Sequence, residues 1–233
     1  MRVNRSRGLL LALIIDALVG GCAKTPEAGG LPISGVDALP ASIAQLLALT
    51  QGCATVVSRH DYALDDGTRA PICALKGAVY WTADMDIDCD GQPTANKCGP
   101  DKRLDCCFQP DTALHNGQDR PLTAAVTPYV VIPQDFSYPG LILGAAVAVI
   151  YKDQVQYAVF GDTGPVDIIG EASYACAEKL GIPPSALDGG VGGKVVTYIA
   201  FLGNGTVPRD VEDQATTRAL GEILAARLVV ENH

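Results

Sequence analysis

Residues 80–91 read YWTADMDIDCDG, with carboxylates at 84, 86, 88 and 90 and apolar side chains at 85, 87 and 89. A period of two belongs to a β-strand. The pattern therefore predicts a strand with Asp84, Asp86, Asp88 and Asp90 on one face and Met85, Ile87 and Cys89 on the other. Carboxylates spaced about 7 Å apart along a strand repel one another. Such a face calls for a cation: a metal, a basic partner chain or a positively charged ligand. Tyr80 and Trp81, the only tryptophan, lie just upstream. Acids beside aromatics suit an amino sugar, which offers a CH-rich face for stacking and an ammonium for pairing.

The rest of the chain supports a β-rich domain. Twenty-five glycines and fifteen prolines imply many turns, and 48% hydrophobic with 18% charged residues is a globular composition. Residues 51–128 are rich in loops and cysteines. Strands are expected at 129–132, 144–151, 155–160 and 194–202, with a hairpin at Lys152-Asp153-Gln154. Helices are expected at 39–49, at 171–180 closed by Gly181, and after a cap at Asp210, where Leu220, Ile223, Leu224 and Leu228 form a core stripe. Consecutive strands joined by short turns favour a β-rich α+β fold. We expect a small mixed or antiparallel β-barrel with flanking helices, double-psi-like by analogy, and an N-terminal half braced by disulfides.

The N-terminus reads as a targeting segment. Arg2, Arg5 and Arg7 precede an apolar core at residues 9–19. Val19-Gly20-Gly21-Cys22 resembles a bacterial lipobox, although Asp16 interrupts the apolar core. The organisation expected is a signal peptide at 1–21, a lipidated Cys22 opening a tether over 22–36, and one catalytic domain at 37–233. An ordinary secretory signal with Cys22 unmodified is the alternative. The expected location is outside the cell, on the outer surface of a bacterium and held to the membrane by lipid alone. The apolar run 141–150 is too short to span a bilayer. Losing residues 1–21 would take the net charge from −9 to about −11, which argues against a nucleic-acid partner.

Export agrees with the cysteines. Cys53, Cys73, Cys89, Cys98, Cys106 and Cys107 are disulfide candidates whose connectivity the sequence leaves open. Cys176 shares a helical face with Ala172 and Leu180 and is expected as a buried free thiol. The chain contains no Cys-x-x-Cys, and His60, His115 and His233 are scattered, so no metal or cofactor is expected. Asp86-Ile87-Asp88-Cys89-Asp90-Gly91 matches the first half of an EF-hand loop. Lys97, however, stands where the bidentate glutamate must be. The glycine-rich run 189–193 lacks the P-loop pattern and reads as a flexible loop.

Two further acids sit where elements are expected to end. Asp162 falls in a Gly-Asp-Thr-Gly-Pro turn, and Glu171 opens a helix after Gly170. Two carboxyls facing each other across a cleft are what glycoside hydrolysis requires. Turn chemistry for Asp162 and the helix macrodipole for Glu171 would account for the same placements without catalysis.

The blocks ADMDIDCDG at 83–91, AVFGDTGP at 158–165, IGEASYACAEKLGI at 169–182 and VVTYIAFLGNG at 195–205, taken together and in order, resemble the chitosanases of glycoside hydrolase family 75. The resemblance covers roughly residues 70–205. It implies internal hydrolysis of chitosan, the β-1,4 polymer of glucosamine, with inversion at the anomeric carbon. It also implies that Asp162 and Glu171 are the catalytic pair. The lipobox sets this chain apart from the fungal members and suggests a bacterial, surface-tethered one. A helix N-terminus at Glu171 would favour its charged form and the role of base, leaving Asp162 as acid; the sequence does not fix the order. Asp86, Asp88 and Asp90 are candidates to bind ammonium groups, and Trp81 and Tyr80 to stack on sugars, in a monomer acting on chitosan or a related polysaccharide. Two other readings are a non-catalytic carbohydrate- or calcium-binding lipoprotein and a glycosidase acting on peptidoglycan.

Overall fold

The computed structural model describes residues 40–233. The expected signal, the lipidated Cys22 and the tether lie outside the described residues. The first element is helix α1, Ile43–Leu49, shorter than expected because its N-cap is Ser42. Ser42 and Gln45 form a reciprocal capping box. Strands β1 (Tyr62–Ala63), β2 (Arg69–Ala70), β3 (Cys73–Leu75), β4 (Ala78–Asp88), β5 (Tyr129–Pro133), β6 (Ala146–Tyr151), β7 (Gln154–Gly164) and β8 (Glu171–Ser173) follow. Then come α2 (Tyr174–Lys179), β9 (Val191–Phe201) and α3 (Gln214–Asn232).

The six strands β4-β8-β5-β7-β6-β9 close on themselves through β4–β9 pairing. The barrel is mixed: β4–β8 and β5–β7 are parallel, and the other four pairings are antiparallel. Closure removes the unpaired edges that an open sheet would expose. The expected hairpin is present, with Tyr151 opposite Gln154 and Lys152 at a φ of 54° in the tight turn.

Alternation along each strand divides the core in two. Val79, Trp81, Ala83 and Met85 of β4 point into the barrel, with Val130, Ile132, Val147, Val149, Ala158, Phe160, Tyr198 and Ala200. Residues of opposite parity, including Tyr80, Ala148, Ile199 and Phe201, pack outside the barrel against Leu46, Leu224, Leu228 and Val229 of α1 and α3. The last helix is capped by Asp213 rather than Asp210. Of its expected stripe, Leu224 and Leu228 are buried, whereas Ile223 is 60% exposed because it falls off the sheet-facing side.

Three expectations need correction. Asp162 is not in a turn: β7 runs on through Gly164. Glu171 does not open a helix. Residues 171–173 are a strand between β4 and β5, and the helix starts at Tyr174 with Ser173 as its N-cap. Pairing on both sides has overridden the helical propensity of this segment. Residues 191–193 open β9 rather than forming a loop.

Candidate active site

A single row across the barrel wall assembles the site. Asp86 of β4 is paired with Glu171 of β8, Glu171 with Val131 of β5, and Val131 with Asp162 of β7. Residues in register share a face, so Asp86, Glu171 and Asp162 all point outward from the same patch of wall. Strict alternation would have turned Asp162 inward with Ala158 and Phe160. A bulge prevents this: Val130 pairs with Phe160, but Val131 pairs with Asp162, so β7 holds one extra residue, Gly161. A Cβ on Gly161 would lie 2.5 Å from the Cβ of Tyr129, so only glycine fits.

Glu171, Val131 and Asp162 form the floor of a cleft of about 560 Å³, lined also by Asp88, Asp90 and Asp105 and, among the described residues, by no lysine, arginine or histidine; Asp86 lies beside Glu171 but outside this lining. Its other wall is the segment after β4. There Gly91 takes a φ of +98°, leaving no room for a Cβ against the Leu122 carbonyl oxygen. Carboxylate oxygens of Asp88, Asp90 and Asp162 lie within 4.8 Å of one another.

Glu171 and Asp162 are held differently. Asp162 Oδ1 accepts hydrogen bonds from the backbone N–H groups of Ala113 at 2.9 Å and Thr163 at 2.7 Å. Burial raises its pKa, and those two amides pull it back. Glu171 is pushed up to about 7 by burial and then by the charges of Asp86, Asp90 and Asp162. Its carboxylate reaches across β5 towards β7, with Oε2 3.3 Å from where a Cβ on Gly164 would sit.

The acidic strip sorts into distinct roles. Asp84 is 1% exposed and structural: Oδ2 accepts the Asp65 N–H at 3.0 Å, and Oδ1 packs against Gly170, where a Cβ would clash. Asp86 lies beside Glu171 and is pushed up to about 7 by burial and by Asp65 and Asp84. Asp88 is 6% exposed, and its Oδ1 accepts the Asp90 N–H at 2.6 Å. Burial and the Glu171 charge hold its pKa well above the ordinary value. Asp90 accepts the Gln109 N–H at 2.6 Å and is pushed up to about 6, chiefly by burial.

The two aromatics do not reach the cleft. Trp81 is 1% exposed inside the barrel, stacked on Tyr198 with ring centroids 5.2 Å apart. Tyr80 lies under the helices, and its hydroxyl donates to the Gly52 carbonyl. Both are core residues because β4 is enclosed on both faces, so neither can stack on a sugar. Ser173 is also structural: it caps α2, accepts the Tyr129 N–H and donates to the Thr127 carbonyl.

Among the described residues two disulfides form, Cys53–Cys73 and Cys89–Cys98, and Cys176 is a buried free thiol as expected. The third expected bridge among the six candidates is not made. Cys106 and Cys107 are adjacent, exposed and free. They line the cleft with Asp105 and Gln109. Sequence reasoning missed Asp105 and Gln109 because loop residues reach the site through tertiary folding alone.

The described residues thus form a closed mixed barrel carrying a groove of carboxylates on its outer wall. The pattern of the family described as "Fungal chitosanase of glycosyl hydrolase group 75" matches residues 85–225, more than half of the chain, and the chain belongs to that family. It is 32% identical over 168 residues to endo-chitosanase C of Aspergillus oryzae, covering 66% of this chain and 41% of the relative. It is 31% identical over 151 residues to an endo-chitosanase of Aspergillus fumigatus, covering 58% and 62%. Endo-chitosanase B of Aspergillus oryzae is 30% identical over 178 residues, covering 66% and 71%. The chain thus spans less than half the length of the first relative and under two thirds of the second.

Proposed function

We propose that this chain is an endo-acting glycoside hydrolase that cleaves β-1,4 links between glucosamine units of chitosan, with Asp162 and Glu171 as the catalytic pair. The observation that carries this reading is the row Asp86–Glu171–Val131–Asp162, which sets two carboxyls on one face of a groove rich in negative charge. Family membership and the names of the relatives point to the same substrate.

We take the mechanism to be single displacement with inversion. Glu171 and Asp162 stand two strands apart, about 10 Å between backbones. The Glu171 carboxylate leans towards Gly164, which is two residues, about 7 Å, along β7 from Asp162. An inverting pair stands roughly 6.5–9.5 Å apart, which leaves room for a water between the two carboxyls. Glu171, protonated up to about pH 7 in a ring of acids, is suited to give its proton to the departing glycosidic oxygen. Asp162, whose charge two amides stabilise, is suited to take a proton from the attacking water. The order of roles is the reverse of the one suggested by a helix at Glu171. Asp86, Asp88 and Asp90 supply charge that draws in ammonium groups.

Action outside the cell belongs to the same reading. Two disulfides are at home in an oxidising compartment, and a leader at 1–21 with a lipid anchor at Cys22 would place the domain there as a monomer. The test is product analysis of the purified chain on chitosan, chitin and peptidoglycan. Chitosan oligomers should appear, with little from the other two. Asp162→Asn and Glu171→Gln should each lower the rate at least about a hundredfold without altering the fold by circular dichroism. Full activity in either variant removes that residue from the mechanism.

A further inference from the structure

Sulfur is the one reactive element of the cleft that hydrolysis does not use. Cys106 and Cys107 are neighbours in sequence, both exposed, and both line the cleft that holds Asp88, Asp90, Asp162 and Glu171. Their Sγ atoms and a carboxylate oxygen of Asp105 lie within 4.8 Å of one another. Every other cysteine among the described residues is accounted for. Four are paired as Cys53–Cys73 and Cys89–Cys98, and Cys176 is sealed in the barrel core. Among the described residues, each of these two thiols therefore has one accessible partner, its neighbour.

The geometry points to a redox-active vicinal dithiol: Cys106 and Cys107 close into a disulfide by exchange with a small-molecule disulfide, and closure shifts the acidic wall of the cleft. One thiolate attacks the small disulfide, expels one thiol and becomes a mixed disulfide. The neighbouring thiol then displaces the second small thiol. The protein loses two protons and two electrons, and the small disulfide is reduced to two thiols. The new ring contains the Cys106–Cys107 peptide. The Cys107 N–H in that peptide donates to Asp105 Oδ1 at 2.8 Å, and Asp105 is itself buried. Two residues on, the Gln109 N–H donates to Asp90 Oδ1 at 2.6 Å. Turning the peptide to close the ring withdraws a donor from Asp105 and pulls on the segment that anchors Asp90. The consequence for catalysis rests on the chitosan reading: the oxidised form should have a KM for chitosan about tenfold higher, the lower end of what losing one hydrogen bond to a carboxylate costs.

The experiment incubates the full chain in reduced or oxidised glutathione, alkylates it under denaturing conditions and maps it by peptide mass. In reduced glutathione both Cys106 and Cys107 should be alkylated, and one equivalent of phenylarsine oxide, which bridges close thiols, should protect both. In oxidised glutathione the peptide carrying them should lack two hydrogens and take no alkyl group. Cys106→Ser should instead leave Cys107 as a glutathione mixed disulfide and abolish the redox response of KM. Two separate mixed disulfides in the parent chain, a bridge to a second copy, or no oxidation would overturn the dithiol. An unchanged KM with the ring closed would overturn its link to the acidic wall. Activity in both states without a closed ring sinks this inference alone. A closed ring with no activity in either state sinks the hydrolase reading alone.

Discussion

Glu171 and Asp162 are both carboxylates on one row of the wall, yet their surroundings push them towards opposite tasks. Asp162 keeps two amide donors, whereas Glu171 faces Asp86, Asp90 and Asp162. If Glu171 is the acid, kcat/KM must fall as pH rises through about 7, where it loses its proton. On the acid side the rate must fall as Asp162 gains one. Asp86→Asn keeps the burial of Glu171 but removes the nearest charge, so the alkaline limb should move to lower pH while the acid limb stays. A pH profile of kcat/KM for the two chains checks this; a limb that does not move would show that Asp86 has no hold on the proton of Glu171. The sequence pointed to both carboxylates, but the order of roles it suggested rested on a helix starting at Glu171. The helix starts three residues later, after Ser173 has served as its cap.

Elements explain what was legible and what was not. The runs 146–151 and 196–201 are apolar and β-branched, and the Lys152-Asp153 turn follows from the flanking strands, so the antiparallel part of the barrel could be read directly. The alternation of Asp84, Asp86 and Asp88 gave the strand and its acidic parity, but β4 ends at Asp88 and leaves Cys89 and Asp90 in the segment that follows. It could not show that both faces of β4 are covered, which puts Trp81 and Tyr80 in the core. Least legible was the bulge at Gly161. An extra residue in one strand leaves no periodic mark when the strand is simply read as ending early at Phe160. The bulge is nonetheless what turns Asp162 out to the cleft. Gly161→Ala places a methyl within 3.0 Å of Tyr129 and Leu122 side-chain atoms. It should cost about 1–3 kcal/mol in urea unfolding and lower kcat more than it raises KM, since Asp162 is displaced while the acids of β4 are not. A variant with parent-like stability and kcat would mean that the bulge does not set the position of Asp162.

At the scale of the whole molecule, the cost of the cleft is that it gathers, in it and beside it, acids the protein would rather keep protonated. Asp86 and Glu171 are pushed up to about 7 and Asp90 to about 6, each first by burial and then, for Asp86 and Glu171, by neighbouring acids. A carboxyl whose pKa is higher in the folded chain than in the unfolded one binds more protons when folded. Stability must therefore fall as pH rises from the unfolded value, near 4, through the folded one, and stay low above it. The surface acids Asp66, Asp101, Asp111, Asp167 and Asp213 have lowered pKa values and act the other way, but their contribution is lost only as pH falls through and below the ordinary carboxylate range. Between about pH 5 and 8 the buried cleft acids dominate, and His115, raised by Asp111 and Asp119, adds a loss of the same sign as it deprotonates. Calorimetry should thus give a higher Tm at pH 5 than at pH 8, with Glu171→Gln flattening the slope by removing one of the acids whose pKa is strongly raised. A cationic oligomer that fills the groove offsets the repulsion, so glucosamine oligomers should raise Tm more at pH 7 than at pH 5, and less so in high salt. A Tm that rose from pH 5 to 8 would mean that these carboxyls ionise without cost, and the groove would then have no electrostatic need for a cationic polymer.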